Sequence, residues 1–244
     1  MMMMKPVSEL NVKIFADGAD LKGISNLSRN PLIKGFTTNP TLMRKAGIQD
    51  YRAFALEVLG IIGERPVSFE VFSDEFAEME RQAREIASWG RNIYVKIPVT
   101  NTRREFAGDL IRQLAGAGVQ LNITALLTND QVKDVLRCLS PETRSYVSVF
   151  AGRIADTGRD PVPLMAEAVR LLGANPKAEL IWASPRELLN IFHADAIGCH
   201  IITVTHDVLS KLPLVGKDLA EYSLDTVKMF HQDASSAGFQ IETK

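Results

Sequence analysis

Ile93–Tyr94–Val95–Lys96–Ile97–Pro98 is a short run rich in β-branched and aromatic side chains, with one charge in its middle. Its shortness and composition predict a strand over Ile93–Ile97, and the lack of polar alternation predicts one covered on both faces. Upstream, Phe76, Met79, Ala83, Ile86 and Ala87 recur at helical spacing, after a start signal at Ser73–Asp74 and before a stop at Gly90. Glu78, Glu80, Arg81, Arg84 and Glu85 fall on the other face of that helix and read as a solvated surface. Downstream, Phe106, Leu110, Ile111 and Leu114 repeat the pattern up to Gly118, and a second apolar run, Val119–Ile123, follows at once.

The same alternation extends to both ends of the chain. Further strands are predicted at Asn11–Ala16, Ile33–Thr37, Pro66–Val71, Tyr146–Phe150, Leu180–Ala183 and Cys199–Val204. Helix starts are predicted at Thr128–Asn129–Asp130 and Asp160–Pro161, and helix ends at Gly60 and Gly173. Eight parallel strands with helices between them, in a chain with no linker or composition break, predict an α/β fold. Its form is a single (β/α)8 TIM barrel over residues 1–244, with 1–10 a loose N-terminal extension. An open doubly wound sheet is the alternative. It would carry a glycine-rich phosphate loop after the first strand, and Asp17–Gly18–Ala19–Asp20 is neither GxGxxG nor a Walker A loop. Lys217 to Gly238 reads as an additional C-terminal helix, packed over the barrel or onto a neighbouring subunit.

Composition narrows the function classes. The 244 residues are 46% hydrophobic and 23% charged, with net charge −1, an ordinary globular balance. A chain of this length buries roughly three-quarters of the surface its unfolded form exposes, so its core needs no disulfide or metal staple. Near-neutrality argues against a nucleic-acid or anionic-membrane partner, which would show clustered Lys and Arg. No apolar run is long enough for a transmembrane helix. Cys138 and Cys199 lack CxxC spacing and read as packed core thiols, while Trp89 and Trp182 read as core aromatics. His193, His200, His206 and His231 form no HxxxH or HExxH pattern, so no metal site is expected. Met1–Met4 followed by Lys5 and Pro6 has neither an h-region nor a small-residue cleavage site. The expectation is a cytoplasmic protein.

In a barrel the chemistry belongs at the carboxyl ends of the strands. Polar residues gather there: Asp17; Thr37, Thr38 and Asn39; Glu70; Lys96; Asn122 and Thr124; Ser148 and Arg153; Ser184 and Arg186; Thr203, Thr205 and His206. Lys96 is the most informative. A cation among apolar neighbours must be paired, must snorkel or must give up its proton, and a neutral amine is what attacks a carbonyl to form a Schiff base. The plainer alternative is a lysine at a strand end paired with Glu70. Asp17 and Glu70 are candidate proton carriers, although Asp17 alone could cap the following helix. Two guanidinium forks at Arg153 and Arg186 suit a phosphate dianion, unless Arg186 lies on the surface of the helix beginning at Pro185.

Three stretches together resemble one family. Gly35–Phe36–Thr37–Thr38–Asn39–Pro40–Thr41–Leu42 looks like the TTNP signature of transaldolases. Tyr94–Val95–Lys96–Ile97–Pro98–Val99–Thr100 resembles the segment that carries their Schiff-base lysine, and Ser148–Val149–Phe150–Ala151–Gly152–Arg153–Ile154 their sixth-strand segment. The matches run in order from Lys13 to Asp207 and suggest the short subfamily, which includes fructose-6-phosphate aldolases.

The resemblance implies a transaldolase that moves a dihydroxyacetone unit from fructose 6-phosphate or sedoheptulose 7-phosphate to an aldose phosphate. Lys96 would be the Schiff-base lysine. Asp17 would take the C4 hydroxyl proton, and Glu70 with Thr124 would hold a water and shuttle protons. Asn39 and Asn122 would orient the dihydroxyacetone hydroxyls, with Ser148 beside them and Thr37 near the water. Arg153, Ser184 and Arg186 would bind phosphate. The family needs no metal or organic cofactor, its partners are sugar phosphates, and its short members form homo-oligomers such as pentamers and decamers. The aldolase subgroup tends to have Gln where Glu70 stands and Tyr where Phe150 stands, so both residues point to transfer. Pro185 departs from the Phe common there, as Gly18–Ala19 departs from a Thr and a small residue. The alternatives are an aldolase releasing dihydroxyacetone, from an unusual ketose, and a catalytically silent sugar-phosphate-binding barrel.

Overall fold

The computed structural model describes residues 5–243, and strand and helix alternate along it as the apolar runs predict. β1 (Lys13–Asp17) leads to α1 (Leu21–Ser28), and β2 (Ile33–Thr37) to α2 (Pro40–Lys45) and α3 (Tyr51–Ile62). β3 (Val67–Glu70) leads to α4 (Phe76–Ser88), and β4 (Ile93–Pro98) to α5 (Gly108–Gly116). β5 (Leu121–Leu126) leads to α6 (Asn129–Leu136), and β6 (Ser145–Val149) to α7 (Ala151–Ala155) and α8 (Val162–Leu172). β7 (Ala178–Trp182) leads to α9 (Leu189–Ala196), and β8 (Ile201–Thr205) to α10 (His206–Leu209) and α11 (Leu219–Ser236). Each strand pairs in parallel with the next, and β8 pairs with β1, so the sheet closes into a (β/α)8 barrel. The open sheet is excluded.

Strand periodicity divides the core in two. Ile14 and Ala16, Val67 and Phe69, Val95 and Ile97, Ile123, Val147 and Val149 belong to the outer cluster under the helices. The residues between them face inward. Phe15, Tyr94, Tyr146, Ile181 and Ile201 fill the lower barrel, with the Tyr94 and Tyr146 rings stacked at 3.8 Å. Two residues further along, the inward side chains turn polar at Asp17, Lys96, Ser148 and Thr203. Burying each large apolar side chain contributes about 1.5–3 kcal/mol, so the apolar plug anchors the polar layer above it. Gly35 completes the plug, since a Cβ there would meet the Phe15 ring at 2.5 Å.

The predicted helix signals hold in part. Thr128 caps α6 in a full capping box with Gln131. Ser73–Asp74 does not start α4, whose N-cap is Glu75. Asp74 instead accepts from Thr102, binding the loop after β3 to the loop after β4. Gly60 lies inside α3, and Gly63, at φ +64°, ends it. At the chain start, Lys5 pairs with Asp195 at 3.2 Å and Asp195 also accepts from the Val12 N–H, so residues 5–12 lie against α9. Residues 1–4 of the expected extension lie outside the described residues. The C-terminal helix forms as expected, but none of its residues is buried, so it does not pack over its own barrel. No helix among the described residues is long and apolar enough to cross a membrane.

Candidate active site

The upper polar layer opens into one cavity of about 710 Å³ at the carboxyl ends of the strands. All eleven residues to which the resemblance gives a role line it, with Thr203 and Thr205, whereas the strand-end residues Thr38 and His206 do not. The TTNP stretch supplies one wall. Thr37 ends β2, Asn39 caps α2 through its side-chain oxygen on the Leu42 N–H, and Pro40 occupies the first helical turn.

Lys96 lies on β4 in register with Glu70 on β3 and Asn122 on β5. Its side chain is 9% exposed. Nζ donates to the Thr38 carbonyl at 3.0 Å and pairs with Glu70 Oε2 at 3.1 Å. Lys96 is thus paired with Glu70 at the strand end, and it also lines the cavity. A buried cation is tolerable only with partners of this kind.

Asp17 stands at the end of β1. The Thr37 hydroxyl donates to its Oδ1 at 2.7 Å, and the Asn39 amide reaches Oδ2 at 3.5 Å. With its proton committed to Asp17, the Thr37 hydroxyl accepts from Thr203 on β8. Burial pushes the Asp17 carboxyl above the usual carboxylate range, against the opposing pull of Lys96 and the Thr37 hydrogen bond. A carboxylate in that state takes up a proton more readily than an exposed one.

On the opposite side, Asn122 is fixed at both ends of its amide. Nδ2 donates to the Ser68 hydroxyl at 2.9 Å, and Oδ1 accepts from the Ser148 hydroxyl at 2.7 Å. Thr124 reaches the cavity by strand alternation, two residues after Asn122, and just beyond it β5 bulges, with Ala125 at φ +65° and a register shift against β6. Its hydroxyl is buried and has no partner among the described residues. An unpaired buried hydroxyl costs about 1–3 kcal/mol, and here it is directed at the space a ligand or water would fill.

The loops after β6 and β7 form the cationic end. Arg153 lies over the Phe150 ring, 5.5 Å from its centroid. Arg186 donates to the Ser184 hydroxyl at 2.9 Å and makes a two-pronged pair with Asp156, its Nε 2.8 Å from Oδ1. It is an exposed residue, but a paired one, so its positive charge is partly neutralised; the helix expected from Pro185 begins only at Leu189, and Arg186 lies in the loop before it. Ser184 sits at φ +60°, and its carbonyl passes so close to Gly152 that a Cβ on Gly152 would lie 1.5 Å from it. Only glycine fits there.

Sequence reasoning missed Asp156, Asp207 and the bulge at Ala125. Asp207 lines the cavity mouth. Nothing in the local sequence marks Asp156, whose partner lies in another loop. Thr203 was visible as a strand-end residue, but without its role under Thr37.

Residues 14–242 match the family described as Transaldolase/Fructose-6-phosphate aldolase. A relative from Dehalococcoides mccartyi, named "Probable transaldolase", is 34% identical over 218 residues, 88% of this chain and 97% of its own length. Another of the same name, from Thermoanaerobacter sp. (strain X514), is 31% identical over 231 residues, 94% of this chain and all of the relative. A solved 2,3-dimethylmalate lyase is similar in fold alone, at a TM-score of 0.54 and 12% identity, covering 98% of this chain and 88% of that one.

Proposed function

The chain belongs to the transaldolase/fructose-6-phosphate aldolase family, and on that premise we propose that it is a transaldolase working through an imine on Lys96. The donor is fructose 6-phosphate or sedoheptulose 7-phosphate, and the acceptor is an aldose phosphate. One observation carries this reading: a nearly buried lysine amine turned into the cavity, 3.1 Å from the Glu70 carboxylate, with an uphill-shifted carboxyl at Asp17 in the same pocket.

The chemistry follows from that arrangement. The neutral Lys96 amine attacks the donor's C2 carbonyl, and the carbinolamine loses water to give an imine. Glu70 accepts the ammonium proton and, with Thr124, exchanges protons with the departing water. Asp17 then takes the proton of the C4 hydroxyl. As the C3–C4 bond breaks, its electron pair flows into the protonated imine, and the shortened aldose leaves. The three-carbon enamine stays on Lys96. Its C3 attacks the acceptor aldehyde, Asp17 returns the proton to the new alkoxide, and water hydrolyses the imine. Asn39, Asn122 and Ser148 hold the donor hydroxyls, Thr37 orients Asp17, and Arg153, Ser184 and Arg186 hold the phosphate. Phe150 brings no hydroxyl near the enamine, and the relatives' common name supports transfer over release.

The Asp156–Arg186 pair favours a second reading, because it weakens the attraction for a phosphate dianion. In that reading the enzyme is an aldolase that releases dihydroxyacetone from an unusual ketose. Both readings belong to a cytoplasmic homo-oligomer, for which the exposed apolar side chains of α11 give support, Val227 at 60% and Phe230 at 62% exposure among them. One assay separates the readings. Fructose 6-phosphate is supplied with and without erythrose 4-phosphate. Sedoheptulose 7-phosphate formed only with the acceptor supports transfer, and free dihydroxyacetone at the same rate without it supports the aldolase.

A further inference from the structure

We infer that Tyr51 is a positioning residue for the lysine chemistry: its phenol hydroxyl holds the backbone of Glu70, and through it the carboxylate that pairs with Lys96. The inference rests on the imine reading of Lys96 and adds a residue outside the cavity lining to it.

The need for such a residue follows from strand geometry. Along β3 the backbone groups alternate between neighbours. The carbonyls of Pro66 and Ser68 accept from the N–H groups of Phe36 and Thr38 on the β2 side, while the N–H groups of Val67 and Val71 donate to the carbonyls of Asn92 and Lys96 on the β4 side. Glu70 therefore turns its N–H and C=O toward β2. By that height β2 has ended, and Asn39 has turned the chain into α2. No strand is left to meet either group, and buried backbone groups are almost always paired.

Tyr51, the first residue of α3, fills the vacancy in the ladder. Its hydroxyl accepts from the Glu70 N–H at 2.8 Å and donates to the Glu70 carbonyl at 3.0 Å. A single hydroxyl thus satisfies both orphaned groups. The ring is held edge-on by Phe69 at 5.9 Å and Trp89 at 5.6 Å, and leans on Phe72 at 4.6 Å. The start of α3 is set by Asp50, which accepts from the Ala53 N–H. Burial keeps the phenol well above its usual range, so it remains an O–H able to donate. The far side of Glu70 is its 3.1 Å pair with Lys96. Tyr51 is not among the residues lining the cavity, and it acts by fixing where that carboxylate can be.

Tyr51→Phe tests this, because it keeps the packed ring and removes only the hydroxyl. The expected result is a kcat lowered about ten-fold, a fraction of what a positioned acid–base group supplies, with KM within about two-fold of the parent. The pH–kcat profile changes with it, since the carboxylate beside Lys96 is no longer held in one place. In a Glu70→Gln background the same change costs less than about two-fold, since its target is gone. Val135→Ala, in the core under α6 and away from Tyr51, is the packing control: it lowers Tm and leaves kcat and the pH profile in place. Tyr51→Phe that lowers only Tm, with kcat and pH profile unmoved, overturns the proposal. Borohydride trapping of the wild-type enzyme is run alongside. An adduct on Lys96 with an unaffected Tyr51→Phe rejects the role of Tyr51 alone, whereas no adduct on Lys96 rejects the imine reading itself.

Discussion

Burial works against the ionised form of Asp17, Lys96 and the Thr37 hydroxyl work for it, and burial is the larger. Its folded-state pKa therefore lies above its unfolded one, so between the two values the folded state binds the proton more tightly. The stability this gives is present at low pH and lost as pH rises through the raised value. Asp17→Asn removes the buried charge, so thermal melts are expected to show a Tm raised by about 2 °C at pH 8, shrinking to nothing toward pH 4. Turnover falls at least about a hundred-fold, the minimum a general acid–base group contributes. An equal Tm change at every pH would contradict this account. At this scale the sequence was most readable where a residue violated its surroundings. A lysine within Ile93–Pro98 and a carboxylate between Phe69 and Val71 both announce a special environment. Asp156 and Tyr51 announce nothing, because their meaning lies in partners 30 and 19 residues away.

Strands present the chemistry, and the turns after them tune it. Just beyond Thr124 the bulge in β5 ends the regular strand, with a non-glycine residue, Ala125, at positive φ. The loops after β6 and β7 interlock where Gly152 meets the Ser184 carbonyl. Gly152→Ala is therefore expected to push these loops apart. KM for fructose 6-phosphate should rise about ten-fold or more, while KM for unphosphorylated fructose stays near its starting value. Steady-state kinetics on both donors checks this, and equal changes would remove these loops from phosphate binding. Strand existence was legible from short apolar runs, but element ends were less so. Gly60 and Gly63 are equally good stop signals by type, and only the left-handed backbone at Gly63 separates them. Ser73–Asp74 looks like a cap, yet Asp74 is taken by Thr102 across the loop. A competing long-range partner leaves no trace in local sequence.

For the whole molecule, barrel closure was legible because eight evenly spaced strands with both faces covered have few other arrangements. The setting of α11 was half legible. Its amphipathic pattern predicts a helix, but the pattern does not say which surface receives its apolar face. In the structure Leu219, Val227 and Phe230 all stand in the open, which suits contact with a second copy. For the proposed homo-oligomer, truncation after Gly216 is expected to leave a folded barrel with unchanged thermal cooperativity and to yield smaller species than the full chain. Sedimentation velocity reads this directly, and an unaltered sedimentation coefficient per barrel would place the contact elsewhere. The central claim remains the covalent one at Lys96, and it is tested most directly by reducing the enzyme with borohydride in the presence of fructose 6-phosphate and sequencing the modified peptide by mass spectrometry. The account predicts a reduced three-carbon dihydroxyacetone adduct on Lys96, absent from folded Lys96→Arg, whose guanidinium does not give up its proton. A folded wild-type enzyme that turns over this donor yet carries no adduct on Lys96 would contradict it.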